Sequence, residues 1–142
     1  KVCDIIFLHP KNKLLIIEVK SSAPNPENRD AKNREKWEMY IKTIRQKFVD
    51  SILIYIGAWA GRDNMKVDNL PPHLKSGEAL KRKIQRILLV RDHKREWLPP
   101  LREKLQKECR ALESAFSLES TLVINQELAR RKLGFVISEI AS

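Results

Sequence analysis

Two apolar runs, Ile5 to Leu8 and Leu14 to Val19, open the chain and flank the polar segment His9-Pro10-Lys11-Asn12-Lys13. β-branched residues dominate both runs, so the pattern predicts a β-hairpin. The turn-rich stretch Ser21 to Pro26 ends the second strand. A helix is then predicted from Asn25 to Asn28 through about Phe48, with Trp37, Tyr40, Ile41, Ile44 and Phe48 at helical spacing. Ser51 to Ala60 is apolar on both faces and reads as a second, central strand, so that strand, helix and strand form a parallel crossover. Gly61 to Gly77, with Pro71 and Pro72, reads as a long loop or flap. Ile84 to Val90 is a further strand, and Glu96 to Phe116 a helix that tolerates Pro99 and Pro100 in its first turn. Thr121 to Ile124 reads as a short strand, Asn125 as the cap of a helix through Leu133, Gly134 as its stop and Phe135 to Ile140 as a last strand. Together these elements predict one α/β domain over residues 1–142 with a mixed central sheet flanked by helices. Its core spans about residues 1–95, and an α/β extension spans about 96–142.

The polar positions in the hairpin are the informative ones. Side chains alternate across a strand, so Glu18 and Lys20 share one face while Leu15, Ile17 and Val19 take the other. If the loop holds an odd number of residues, such as Pro10 to Asn12, residues whose numbers sum to 22 lie opposite each other. Asp4 then faces Glu18, with Cβ atoms roughly 5 Å apart. Two carboxylates and an ammonium at one end of an otherwise apolar hairpin are costly unless something compensates them. A divalent cation would do so. Hard oxygen ligands suit Mg²⁺ or Mn²⁺, and a neighbouring lysine can act on a water molecule or offset developing negative charge, a set that describes phosphodiester hydrolysis. The bland reading of the same residues is a salt-bridged cluster at a solvent-facing sheet end.

The chain's 28 Lys and Arg against 18 Asp and Glu give a net charge of +10, which favours a polyanionic partner. The first hundred residues hold 21 of the basic and 12 of the acidic residues, so nearly all the excess lies beside the hairpin. The densest basic stretch runs from Lys75 to Arg95. Within it Lys81, Arg82, Lys83 and Arg86 are candidate phosphate contacts, and Trp59 and His73 are weaker candidates for contacts to bases or sugars. Two cysteines form neither a disulfide framework nor a zinc site, and a reducing, intracellular setting, cytoplasmic or nuclear, is expected. No membrane-spanning run and no signal peptide is visible. Phosphate-binding glycine loops, the H-E-x-x-H motif and the nucleophile elbow are all missing from the sequence, which sets those chemistries aside.

Asp4, thirteen intervening residues and then Glu18-Val19-Lys20 at the end of an apolar strand resemble the D…(D/E)-x-K core of the PD-(D/E)xK, or restriction-endonuclease-like, nuclease superfamily. The I-E-V-K-S phrasing is similar to its nuclease-related (NERD-like) and resolvase-like branches. The resemblance implies a restriction-endonuclease-like fold, Asp4 and Glu18 as metal ligands joined by the Val19 carbonyl, and Lys20 assisting the attacking water. It also implies nucleic acid, DNA before RNA, as the partner. In similar nucleases the following helix often carries Gln, Lys or Arg four residues before a tyrosine, and Lys36 with Tyr40 matches that element. The chain departs from the pattern in having Cys3 where proline is usual. The family's upstream helix and strand, the helix often bearing a further acid, are also missing before Lys1, so a trimmed chain is expected. The alternative from a different class is a non-catalytic nucleic-acid-binding or interaction module in a homodimer or larger assembly.

Overall fold

The computed structural model describes residues 2–9, 13–61, 70, 72–75 and 81–133. They form an α/β fold with a four-stranded mixed sheet. Strand β1 (Ile5–His9) pairs antiparallel with β2 (Lys13–Lys20), while β3 (Lys83–Val90) and β4 (Leu122–Ile124) continue parallel to β2 in the order β1-β2-β3-β4. The hairpin register runs from Ile5 opposite Ile17 to His9 opposite Lys13, so facing residues sum to 22 as an odd loop requires.

Helix α1 (Ala31–Trp59) connects β2 to β3, α2 (Leu98–Phe116) connects β3 to β4, and α3 (Gln126–Leu133) follows β4. Alternation along the strands decides which side each helix covers. Ile16, Leu88, Val90 and Val123 pack against Ile41, Ile44, Phe48 and Ile52 of α1 and Leu101, Leu105 and Cys109 of α2. On the opposite face Leu15, Ile17, Ile87, Leu89 and Ile124 meet Ala129 and Leu133 of α3.

One predicted element is corrected outright. Ser51 to Ala60 is not a central strand but the second half of α1, whose 29 residues span about 44 Å. Its buried positions, Phe48, Ser51, Ile52, Tyr55 and Ala58, continue the three- and four-residue spacing begun at Ile41 and Ile44. Leu53 and Ile54, which make the segment look apolar on both sides, are exposed. The crossover therefore returns at β3. Helix α1 ends where Gly61 takes a positive φ of 64°, a left-handed conformation that suits glycine.

The helix also begins later than Asn25 to Asn28. Asn25 and Asn28 fold back to accept from the backbone N–H groups of Glu27 and Asp30, and Asn33 donates to the carbonyls of both asparagines. Asn125 caps α3 as its position predicts, its Oδ1 accepting from the Leu128 N–H at 3.0 Å. The expected loop over Gly61 to Gly77 falls largely outside the described residues, which show only a short 3-10 turn at Pro72–Leu74 within it. The His73 side chain and the strand expected over Phe135 to Ile140 also lie outside them.

Cys3 and Cys109 are free and buried. Burial pushes the Cys3 thiol up to about 12 and raises Cys109 as well, because a thiolate loses its hydration there. Both are expected to resist an aromatic disulfide reagent at pH 8 in the folded protein and to react fully in denaturant. Rapid labelling of either in the native state, followed by absorbance, would contradict this packing.

Candidate active site

The site forms at the C-terminal end of β2, on the face covered by α1. Glu18 is fully buried there although it is a carboxylate. Its Oε1 accepts from two ammonium groups, Lys20 Nζ at 2.8 Å and Lys47 Nζ at 2.5 Å. Its other oxygen, Oε2, is buried with no hydrogen-bond partner among the described residues. Leaving such an oxygen unpaired is costly, and a donor or a cation beside it would offset that cost.

Asp4 stands across the hairpin from Glu18, one residue before β1 begins. Its Oδ2 accepts from the Val19 backbone N–H at 2.8 Å. That bond caps the edge of β2 left open where β1 stops at Ile5, opposite Ile17. The N–H and C=O of one strand residue point to the same side, so the Val19 carbonyl faces this open edge together with Asp4. Two carboxylates and one carbonyl thus lie at the same strand end, and hard oxygen donors of this kind suit Mg²⁺ or Mn²⁺. Among the described residues no group of three or more His, Cys, Asp or Glu side chains gathers, so this set is two carboxylates and a main-chain oxygen.

Lys47 is the member of the cluster that no sequence motif singles out. It lies beside the buried stripe of α1, and its side chain is only 15% exposed against 31% for Lys20. The Glu18 carboxylate holds the Lys47 ammonium above the ordinary lysine range, against the opposing effect of burial. A chain of bonds fixes its place. The Cys3 N–H donates to Ser51 Oγ at 2.7 Å, and Ser51 Oγ donates to the Lys47 carbonyl at 2.8 Å. One turn of α1 therefore ties the segment carrying Asp4 to the residue that grips Glu18. Tyr40 lies on the same helix with a buried hydroxyl that has no partner among the described residues; burial, and secondarily the charge of Glu18, raise its pKa.

The basic stretch is distributed differently from expectation. Arg86 is corrected as a phosphate contact. It is fully buried on the α1 and α2 face, donating to Glu113 Oε1 at 2.5 Å and to the Glu119 carbonyl at 3.1 Å, with its guanidinium over the Phe48 ring. Lys81, Arg82 and Lys83 sit at or just before the start of β3, where Lys83 pairs with Lys13. That is about 23 Å along the strand from the end where Val90 pairs with Lys20, so they do not join the Glu18 cluster. The basic residue brought to that end is the exposed Arg91, whose N–H donates to the Lys20 carbonyl at 2.9 Å. Lys36 is exposed on α1 and shares a groove with Lys20 and Tyr40. Trp59 is half-buried beside Tyr55 and Leu74, a packing position at the Leu14 end of β2.

Comparison with protein families, with curated proteins and with solved structures finds no match to this chain. Among the described residues no helix is long and apolar enough to cross a membrane.

Proposed function

We propose that this chain is a metal-dependent nuclease of restriction-endonuclease-like type that hydrolyses phosphodiester bonds, DNA before RNA. The observation that carries the reading is the placement of Asp4 and Glu18 at one strand end, with two ammonium groups on Glu18 and a buried carboxylate oxygen that has no partner among the described residues. Asp4, Glu18 and the Val19 carbonyl would hold Mg²⁺ or Mn²⁺, which supplies acidification of a water molecule and neutralisation of phosphoryl charge. In the reaction the water oxygen bonds to phosphorus, one ester P–O bond breaks and the leaving oxygen takes up a proton. Lys20, the more exposed of the two lysines, can reach the water or the phosphoryl oxygens and offset their charge. Arg91 and Lys36, both exposed near Lys20, would add positive charge for the backbone. The buried free cysteines accord with a reducing, intracellular compartment.

Labelled single- and double-stranded DNA and RNA incubated with Mg²⁺ or Mn²⁺ test the reading. Cutting is expected from the native chain and is expected to be lost in Glu18→Ala and Lys20→Ala. Cutting that persists in both variants would overturn it.

Lys47 acts through Glu18 and is a positioning residue in this scheme. Lys47→Met is expected to lower kcat by about 10- to 100-fold, in the range seen when groups supporting metal ligands are removed. The same change should tighten Mn²⁺ binding, since it removes an ammonium that competes for the carboxylate. Lys47→Arg should restore part of both values. A slower enzyme with unchanged Mn²⁺ affinity would mean that Lys47 serves the fold alone.

One feature favours the second reading, a nucleic-acid-binding module without catalysis. Lys20 and Lys47 already neutralise the Glu18 charge without a metal. Binding that is salt-sensitive but indifferent to Mg²⁺ and to Glu18→Ala would support it.

A further inference from the structure

Lys20 belongs to two places at once. Besides meeting Glu18, it lines a groove of about 540 Å³ between the turn after β2 and the N-terminal half of α1. Pro24, Met39 and Tyr40 give this groove apolar walls, and Lys36 and Glu35 also line it. Met39 is 62% exposed and adds accessible apolar surface to the groove lining. The volume is in the range of sites that enclose small organic groups.

We propose that this groove receives an unpaired nucleobase adjoining the phosphate held at Lys20, so that the substrate is a single strand, flap or overhang and not a continuous duplex. The inference rests on the nuclease reading, because Lys20 is what places a phosphate beside the groove. Every internal phosphate in a strand carries a nucleoside on each side. A strand whose phosphate meets Lys20 must therefore bring a neighbouring base within reach of the groove that Lys20 shares. Bases have apolar faces that stack on aromatic surfaces and can pack on the proline ring and the methionine thioether. In a duplex those faces are covered by the next bases, and only an unstacked base can turn one toward Met39 and Pro24. Lys20 and Lys36 outweigh Glu35, which suits the anionic backbone attached to the base.

The test is a fluorescence-anisotropy titration of a labelled 12-nucleotide DNA strand, alone and in full duplex, with Ca²⁺ in place of Mg²⁺. Native protein is compared with Met39→Ser and Met39→Trp, changes at an exposed position outside the Glu18 cluster. The native chain is expected to prefer the single strand. Met39→Ser is expected to weaken single-strand binding about tenfold and leave duplex binding unchanged, and Met39→Trp to tighten the former. Equal binding of both forms by the native chain, or a single-strand preference that survives Met39→Ser, would overturn the proposal. The two readings fail separately. Cutting that survives Glu18→Ala and Lys20→Ala removes the nuclease reading, whereas cutting that needs both residues but ignores Met39 removes the groove alone.

Discussion

Glu18→Gln is expected to lower metal-dependent cleavage by about a thousandfold or more while the fold survives. The amide has the size of the carboxylate and can still accept from one lysine. What it loses is charge. Oε2 of Glu18 is buried with no partner among the described residues, and a neutral amide there would offer little attraction to a cation. Lys20 and Lys47 would then confront the metal with only the Asp4 carboxylate left to compensate them. Both ammonium groups retain some contact with solvent, so the folded state can relieve their repulsion by turning them outward. Initial rates at saturating Mn²⁺, paired with thermal unfolding, separate the two effects. A loss of less than tenfold would place the chemistry elsewhere.

The largest stability effect is expected on the neighbouring strand, at Arg86 opposite Ile16. Glu113→Ala should destabilise the protein by about 3–5 kcal/mol, because it strands a fully buried guanidinium. Among the described residues Arg86 has no partners at Nε and Nη1, so the Glu113 carboxylate and the Glu119 carbonyl carry the burden. Glu113 Oε1 also accepts from the N–H and hydroxyl of Thr121, and these bonds vanish with it. For a domain of this size the melting temperature should fall by about 10 °C. Replacing both partners with apolar residues, Arg86→Met with Glu113→Leu, should recover most of the loss. A Glu113→Ala protein that melts within a degree of the native one would show that the pair contributes little.

The hairpin was legible because its pattern is local. Period-two alternation and an odd loop specify a register, and that register alone sets Asp4 across from Glu18. The second half of α1 was misread for an equally local reason. Ser51 to Ala60 is rich in residues that favour strands, and Leu53 and Ile54 hide the helical stripe running through Ser51, Ile52, Tyr55 and Ala58. Packing of that stripe beneath the sheet overrode the propensity.

Lys47 could not be recognised as a site residue, since Glu18 is 29 positions away and no spacing rule connects them. Its place beside the Ile44 and Phe48 stripe was the available signal. Arg86 carried a clearer sign, for alternation places it on the same face as Leu88 and Val90 and hence in the core. The distance of Lys81 to Lys83 from the site depends on the parallel pairing of β2 with β3, which joins segments far apart in the sequence. Local pattern therefore reached the two acids and one lysine, and tertiary structure added the second lysine and set Lys81, Arg82, Lys83 and Arg86 apart from them.

Mn²⁺ binding, followed by the paramagnetic resonance of the free ion, tests the central claim without requiring turnover or a known substrate. The native chain is compared with Asp4→Asn and Glu18→Gln at fixed pH and ionic strength. The account predicts one Mn²⁺ site in the native protein, weakened about tenfold or more by each substitution. Mn²⁺ affinity that is the same in all three proteins, or no binding to the native chain at millimolar Mn²⁺, would contradict it.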